Sequence, residues 1–112
     1  MAKKITITNP DNGKVYTLEF NRKTVSSLER QGFELEKLTT MPATMIPMLF
    51  NGAFLMHHDS VKNDTKERLF NGMNNKTKLV QMLAVMFTEA YNTLLEDGEE
   101  GDEGNPGWAV VE

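Results

Sequence analysis

The chain has 112 residues, 39% of them apolar and 25% charged, which is enough for one domain with its own core. It contains no cysteine, which excludes disulfides, thiolate metal sites and thiol nucleophiles. The net charge of −4 is unevenly spread: seven of the sixteen acids lie in residues 96–112 with no base among them, leaving nine acids against twelve Lys and Arg in residues 1–95.

The bases of the body are scattered, and no stripe of them is interleaved with aromatics, so no nucleic-acid partner is expected. The opening Met-Ala-Lys-Lys-Ile-Thr lacks the apolar run of a signal peptide. The longest apolar stretch, around Ile46 to Met56, is broken by Asn51 and Gly52. It falls short of the ~20 residues that cross a bilayer. No membrane partner is expected, and a cytoplasmic location fits the absence of cysteine.

Residues 4–9 alternate, with Ile5 and Ile7 on one face, and residues 15–20 alternate with Tyr16, Leu18 and Phe20 together. Between them lies Asn9-Pro10-Asp11-Asn12-Gly13-Lys14, dense in turn formers. This predicts a β-hairpin over 4–20, whose apolar face must pack on helices because a lone hairpin is marginal in water. Asn21 is placed to cap a short helix over about 22–31. Gly32 then stands where a left-handed residue ends the helix, bringing Phe33 onto Leu28. In residues 34–41, Leu35 and Leu38 are three apart, which favours a helical turn over a strand.

The stretch from Met45 to His58 organises the chain. On a helical wheel Ile46, Leu49, Phe50 and Ala53 share one side, and Met45, Met48, Leu55 and Met56 cover much of the rest. Only Thr44, Asn51 and His58 form a polar line. A helix apolar nearly all round must be buried on several sides or lend a face to a partner. Thr44 as N-cap would put Pro47 in the first turn, giving a helix over about 44–58. A start at Pro42 would place Pro47 deeper inside. Gly52 in mid-helix costs up to about 1 kcal/mol against Ala, which implies either a close approach of another backbone or a tolerated flaw.

Asp64-Thr65-Lys66-Glu67 reads as a capping box opening a helix over 64–71, with Leu69 and Phe70 as its apolar edge and Gly72 at its end. Asn75 can cap the last helix, 76–96. There Leu79, Val80, Leu83, Met86, Phe87, Ala90, Tyr91 and Leu94 fill one broad face. Met82 and Val85 intrude on the polar face, either as scattered exposed apolar residues or as a contact with a partner. From Asp97 to Gly107 the chain is mostly glycine and acid and is expected to be disordered. Trp108-Ala-Val-Val-Glu then follows, as a docking peptide or as a segment folded back on the body.

His57-His58-Asp59 is the one cluster that invites a catalytic or metal reading. Adjacent helical positions point about 100° apart, so the two rings do not readily share a metal, and no third ligand is nearby. A helix end whose histidines meet the terminal carbonyls or water is the expected role. The tail carboxylates lack EF-hand spacing. No catalytic residue, cofactor or metal is therefore expected. Seven of the eight Met lie in or beside the helices, where flexible thioethers fill cores or suit surfaces that adapt to varied apolar partners. The candidate partner-binding residues are Met45, Met48, Phe54, Leu55, Met56, Met82, Val85 and Trp108.

The order of signals resembles a known family. It runs from Lys-Lys-Ile-Thr-Ile, through Tyr-Thr-Leu-Glu-Phe-Asn-Arg-Lys-Thr-Val and Glu-Arg-Gln-Gly-Phe, to Pro-Ala-Thr-Met-Ile-Pro-Met-Leu-Phe-Asn-Gly-Ala-Phe-Leu-Met-His-His and an acidic tail near a Trp. This is similar to the tail assembly chaperones of long-tailed, siphovirus-like phages and prophages of Gram-positive bacteria. Residues 42–58 are the most specific part. The resemblance implies a non-enzymatic chaperone in the host bacterial cytoplasm, absent from the mature virion. Its partners would be the tape-measure protein, which it keeps soluble, and the tail-tube protein, whose subunits it recruits. Self-association is a further option. Such chaperones commonly also exist in a longer, frameshifted form. Another phage morphogenesis part, such as a head–tail connector or minor tail protein, is the alternative. An enzyme or metal protein built on His57 and His58 is the third class.

The expected fold is thus α+β. An N-terminal β-hairpin packs on a mainly α-helical body of about four helices within residues 1–96, followed by an acidic disordered tail over 97–112.

Overall fold

The computed structural model describes residues 3–98, 104 and 106–111. Strand β1 (Ile5–Thr8) pairs antiparallel with β2 (Val15–Leu18), with Ile5 opposite Leu18 and Ile7 opposite Tyr16. The turn is held from both ends: Asn9 N–H donates to Lys14 O at 2.7 Å, and Gly13 N–H to Asn9 O at 2.8 Å. Asn9 Oδ1 also accepts from Asp11 N–H, an Asx turn. The alternation turns Ile7, Tyr16, Leu18 and Phe20 inward, as a sheet with one solvated face requires.

Four helices follow: α1 (Arg22–Arg30), α2 (Pro42–Gly52), α3 (Asn63–Asn71) and α4 (Lys76–Asn92). At the start of α1, Asn21 Oδ1 accepts from Thr24 N–H while Thr24 Oγ1 accepts from Asn21 N–H. At its end Gly32 has φ of +94°, Phe33 N–H reaches Leu28 O and Gly32 N–H reaches Glu29 O, the expected Schellman ending. Leu35–Leu38 form a 3-10 turn.

α2 differs from expectation at both ends. It starts at Pro42, not after Thr44, because the Met41 carbonyl receives the first helical amides, Thr44 N–H and Met45 N–H. Pro42 thus takes the first helical position, where an N–H is not needed. Pro47 lies inside the helix and deprives the Ala43 carbonyl of its donor, which is tolerable because both residues are exposed. The helix stops at Gly52 rather than His58. In a continuing helix the Ala53 carbonyl would accept from His57, but here it accepts from Glu19 N–H at 3.0 Å. The chain then tightens into i→i−3 turns, with Phe54 N–H on Asn51 O and Leu55 N–H on Gly52 O. At Gly52 a side chain approaches rather than a backbone: an added Cβ would lie 2.7 Å from two Leu28 methyls.

The expected capping box of α3 does not form. Lys62 is the N-cap residue and no side chain caps the helix, although Asp64 in its first turn suits the helix dipole. Asn75 precedes α4 in a left-handed conformation, φ 57°, and gives no side-chain cap. α4 ends at Asn92 and passes into a 3-10 turn, Thr93–Leu95.

The core is one cluster that joins the hairpin to all four helices. Two aromatic series run through it. Phe20 and Phe33 both set an edge against Phe87, at 5.6 and 4.9 Å between centroids. Tyr16, Phe54, Phe50 and Phe70 follow one another at 5.8, 5.2 and 5.0 Å, from the hairpin through α2 to α3. Tyr91 and Leu94, expected on the buried face of the last helix, are instead 46% and 56% exposed. The fold is therefore α+β, hairpin on helices. Of the tail expected to be disordered, 97–112, residues 99–103, 105 and 112 lie outside the described residues. No helix among the described residues is long and apolar enough to cross a membrane.

Candidate functional site

The aromatic series from the hairpin ends at an open cleft between α2 and α3. Its volume is about 610 Å³, and its apolar wall is made by Pro42, Ala43, Ile46, Pro47, Phe50 and Phe70. That size lies within the ~300–1,000 Å³ of ordinary ligand pockets. The start of α2 at Pro42 builds it: the register that buries Met45, Leu49 and Phe50 leaves Ile46 half-buried and Pro47 exposed on the open side.

One ammonium group belongs to the cleft lining, and a second, outside the lining, stands near Phe70. Lys66 on α3 is only 5% exposed, and its Nζ lies 5.7 Å from the centroid of the Phe54 ring. No carboxylate reaches it among the described residues, and burial lowers its pKa from the ordinary 10.5. Lys76 Nζ donates to Asn71 O and Met73 O, satisfying carbonyls at the end of α3, and stands 6.0 Å from the centroid of Phe70. Both cations face aromatic rings rather than acids. Glu67, the one acid in the cleft lining, is solvent-exposed.

None of the eight sequence-predicted partner residues lines this cleft. Met45 and Phe54 are buried at 4% and 0% exposure, so in this conformation they hold the core instead of presenting a surface. Phe54, a candidate partner residue in a helix expected to run to His58, is turned inward by the bend after Gly52 and packs on Tyr16 and Phe50. Met48, Leu55 and Met82 are half-buried. Met56, Val85 and Trp108 are exposed, the last at 88%. Tyr91, Leu94 and Leu95 join Val85 as exposed apolar residues of the α4 end.

Sequence reasoning missed Ile46, Pro47 and Phe70 as surface formers, and Lys66 altogether. The pair of prolines five apart was the available signal for the first two. Nothing local marks Lys66, which sits in a polar run.

The histidines do not meet helix-end carbonyls as expected. His58 Nε2 accepts the Thr17 N–H at 2.9 Å, so its ring proton is on Nδ1. His57 Nε2 lies 2.8 Å from Glu19 Oε1, a carboxylate only 7% exposed that Lys4 also approaches at 3.9 Å. Each Nε2 is thus engaged with strand β2 or its end. The rings are 6.2 Å apart at 52°. The pair works as a clasp between the segment after α2 and the outer edge of the hairpin.

Over residues 1–111 the chain matches the family model described as a domain of unknown function, DUF5055, and it belongs to that family. No curated protein and no solved structure matches it.

Proposed function

We propose that this member of the DUF5055 family is a tail assembly chaperone of a long-tailed phage or prophage, acting in the host bacterial cytoplasm without catalysis. It holds apolar helical surface of the tape-measure protein and brings tail-tube subunits to it. The observation that carries this reading is the α2–α3 cleft. Six of its lining residues, Pro42 to Asn51, belong to the segment that most resembles such chaperones. A groove of aliphatic and aromatic side chains suits the apolar stripe of an amphipathic helix. The exposed Val85, Tyr91, Leu94 and Leu95 add adaptable apolar surface at the end of α4.

A pull-down from cells making all the tail proteins tests this. The tape-measure protein and tube subunits are expected with the tagged chain, and mature virions are expected to lack it. Recovery of neither protein, or a ring of this chain retained in virions, overturns the reading in favour of a structural component.

A further inference from the structure

α4 keeps one stripe turned away from the core. Lys78, Met82, Val85, Glu89 and Asn92 follow one another in steps of four, three, four and three, which keeps them within about 80° of one side of the helix. Lys78, Val85 and Asn92 are exposed, and Met82 and Glu89 are half-buried. Alternate steps of four and three are the spacing of a seam between two helices.

The stripe is complementary to its own reverse. Laid antiparallel on a second copy, Met82 of each chain meets Val85 of the other, and Lys78 of each chain then meets Glu89 of the other. Both pairs are centred between Leu83 and Ala84, so one register makes them together. A parallel arrangement would instead set Lys78 on Lys78 and Glu89 on Glu89. The antiparallel contact has an apolar centre and an ion pair at each end, and a two-fold axis repeats every interaction.

The groups are open to this use. No carboxylate pairs with Lys78 among the described residues. Glu89 lies 3.3 Å from Lys3, but the two side chains are 38% and 49% exposed, so sharing or exchanging that pair costs little. Val85 is 41% exposed. The overlap from Lys78 to Glu89 is ~16 Å of helix. Two helices crossing over that length bury less than the ~1,200 Å² of a stable interface, so the association is a reversible equilibrium.

We propose that two copies of this chain pair antiparallel along the Lys78–Asn92 stripe of α4, as a reversible two-fold dimer. The stripe lies on a different helix from the α2–α3 cleft, and the inference does not rest on the proposed function.

Sedimentation equilibrium of the full chain tests it. The average mass is expected to rise with concentration from the 12.7 kDa of one chain toward twice that value and no further. Lys78→Glu and Glu89→Lys each set like charges together at both ends of the contact, and each alone is expected to weaken association about tenfold. Mixed in equal amounts, the two variants regain opposite charges at both ends and are expected to associate as the wild type does. Val85→Lys, at an exposed position, breaks the apolar centre independently and is expected to weaken association as well. Circular dichroism checks each fold. A wild type that stays at the mass of one chain at every concentration overturns the proposal. So does growth beyond a dimer, because a two-fold contact closes on itself. Folded single variants that associate like the wild type, or a mixture that associates no better than either variant alone, also overturn it.

Discussion

His58 Nε2 accepts the backbone N–H of Thr17, 41 residues earlier in the chain. Thr17 sits on the second of two strands, so this amide faces away from β1, and among the described residues no further strand pairs with it. The imidazole takes the place of a third strand, and the same ring sets an edge against Tyr16 at 5.2 Å. Removing the acceptor with His58→Ala is expected to cost about 1–2 kcal/mol, as for a part-buried amide left unpaired. His58→Gln, which keeps an acceptor, should recover part of that in urea unfolding. Equal stability of wild type and His58→Ala would show the clasp to be incidental.

Gly52 and Leu28 meet where α2 crosses α1. Gly52→Ala gains about 1 kcal/mol of helix propensity. It also drives a Cβ to 2.7 Å from two methyls of a side chain that is 1% exposed. Overpacking of this kind costs ~1–3 kcal/mol, so the variant is expected to be less stable on balance. Leu28→Val should relieve the clash, giving a favourable coupling energy in the double-mutant cycle of chemical denaturation. Strict additivity would mean that the two sites do not touch.

Gly32 has φ of +94° at the end of α1, a conformation that L side chains rarely adopt, although the space around it is open. Gly32→Ala is expected to lower stability by about 1 kcal/mol through backbone strain alone. Thermal unfolding with no loss of stability would contradict that.

Lys66 gives a pH dependence with a definite sign. Burial lowers its pKa below 10.5 in the folded protein, so between the folded value and 10.5 the unfolded chain binds more protons. Its contribution to stability therefore rises with pH across that window, as the penalty of burying a cation disappears. Lys66→Met removes the cost of burying the charge but loses about 1 kcal/mol of contact with the Phe54 ring, so at pH 7 its stability is expected to stay within about 1 kcal/mol of wild type. The stability difference between the two is expected to move in favour of wild type as pH approaches 10.5. A difference independent of pH would place the ammonium in water.

The hairpin and the ends of α1 were legible because their signals are local: alternation, an Asx-rich turn, Asn21 before the helix and Gly32-Phe33 after it. The bounds of α2 were not. Thr44 and Pro42 both make acceptable starts by local rules, and what closes the helix is Glu19 N–H on the Ala53 carbonyl, a partner from a distant strand. The role of the histidines was hidden for the same reason, since Thr17 and Glu19 lie some forty residues away in sequence. The cleft is a property of two helices at once. Wheel positions placed Ile46 and Phe50 on one side of α2, but only the packing of α3 decides that Ile46 edges an opening while Phe50 and Lys66 are buried. Asp64 failed as a cap because Lys62 already stands at the helix entrance.

The central claim is that this protein works by holding another chain. The most direct measurement is the soluble fraction of the tape-measure protein, the long helical protein expected to be encoded beside it, co-expressed with this chain or with its Ile46→Glu variant. The expected result is a soluble tape-measure protein with the wild type and an aggregated one with the folded variant or with no partner. A tape-measure protein equally soluble, or equally aggregated, in all three would contradict the claim.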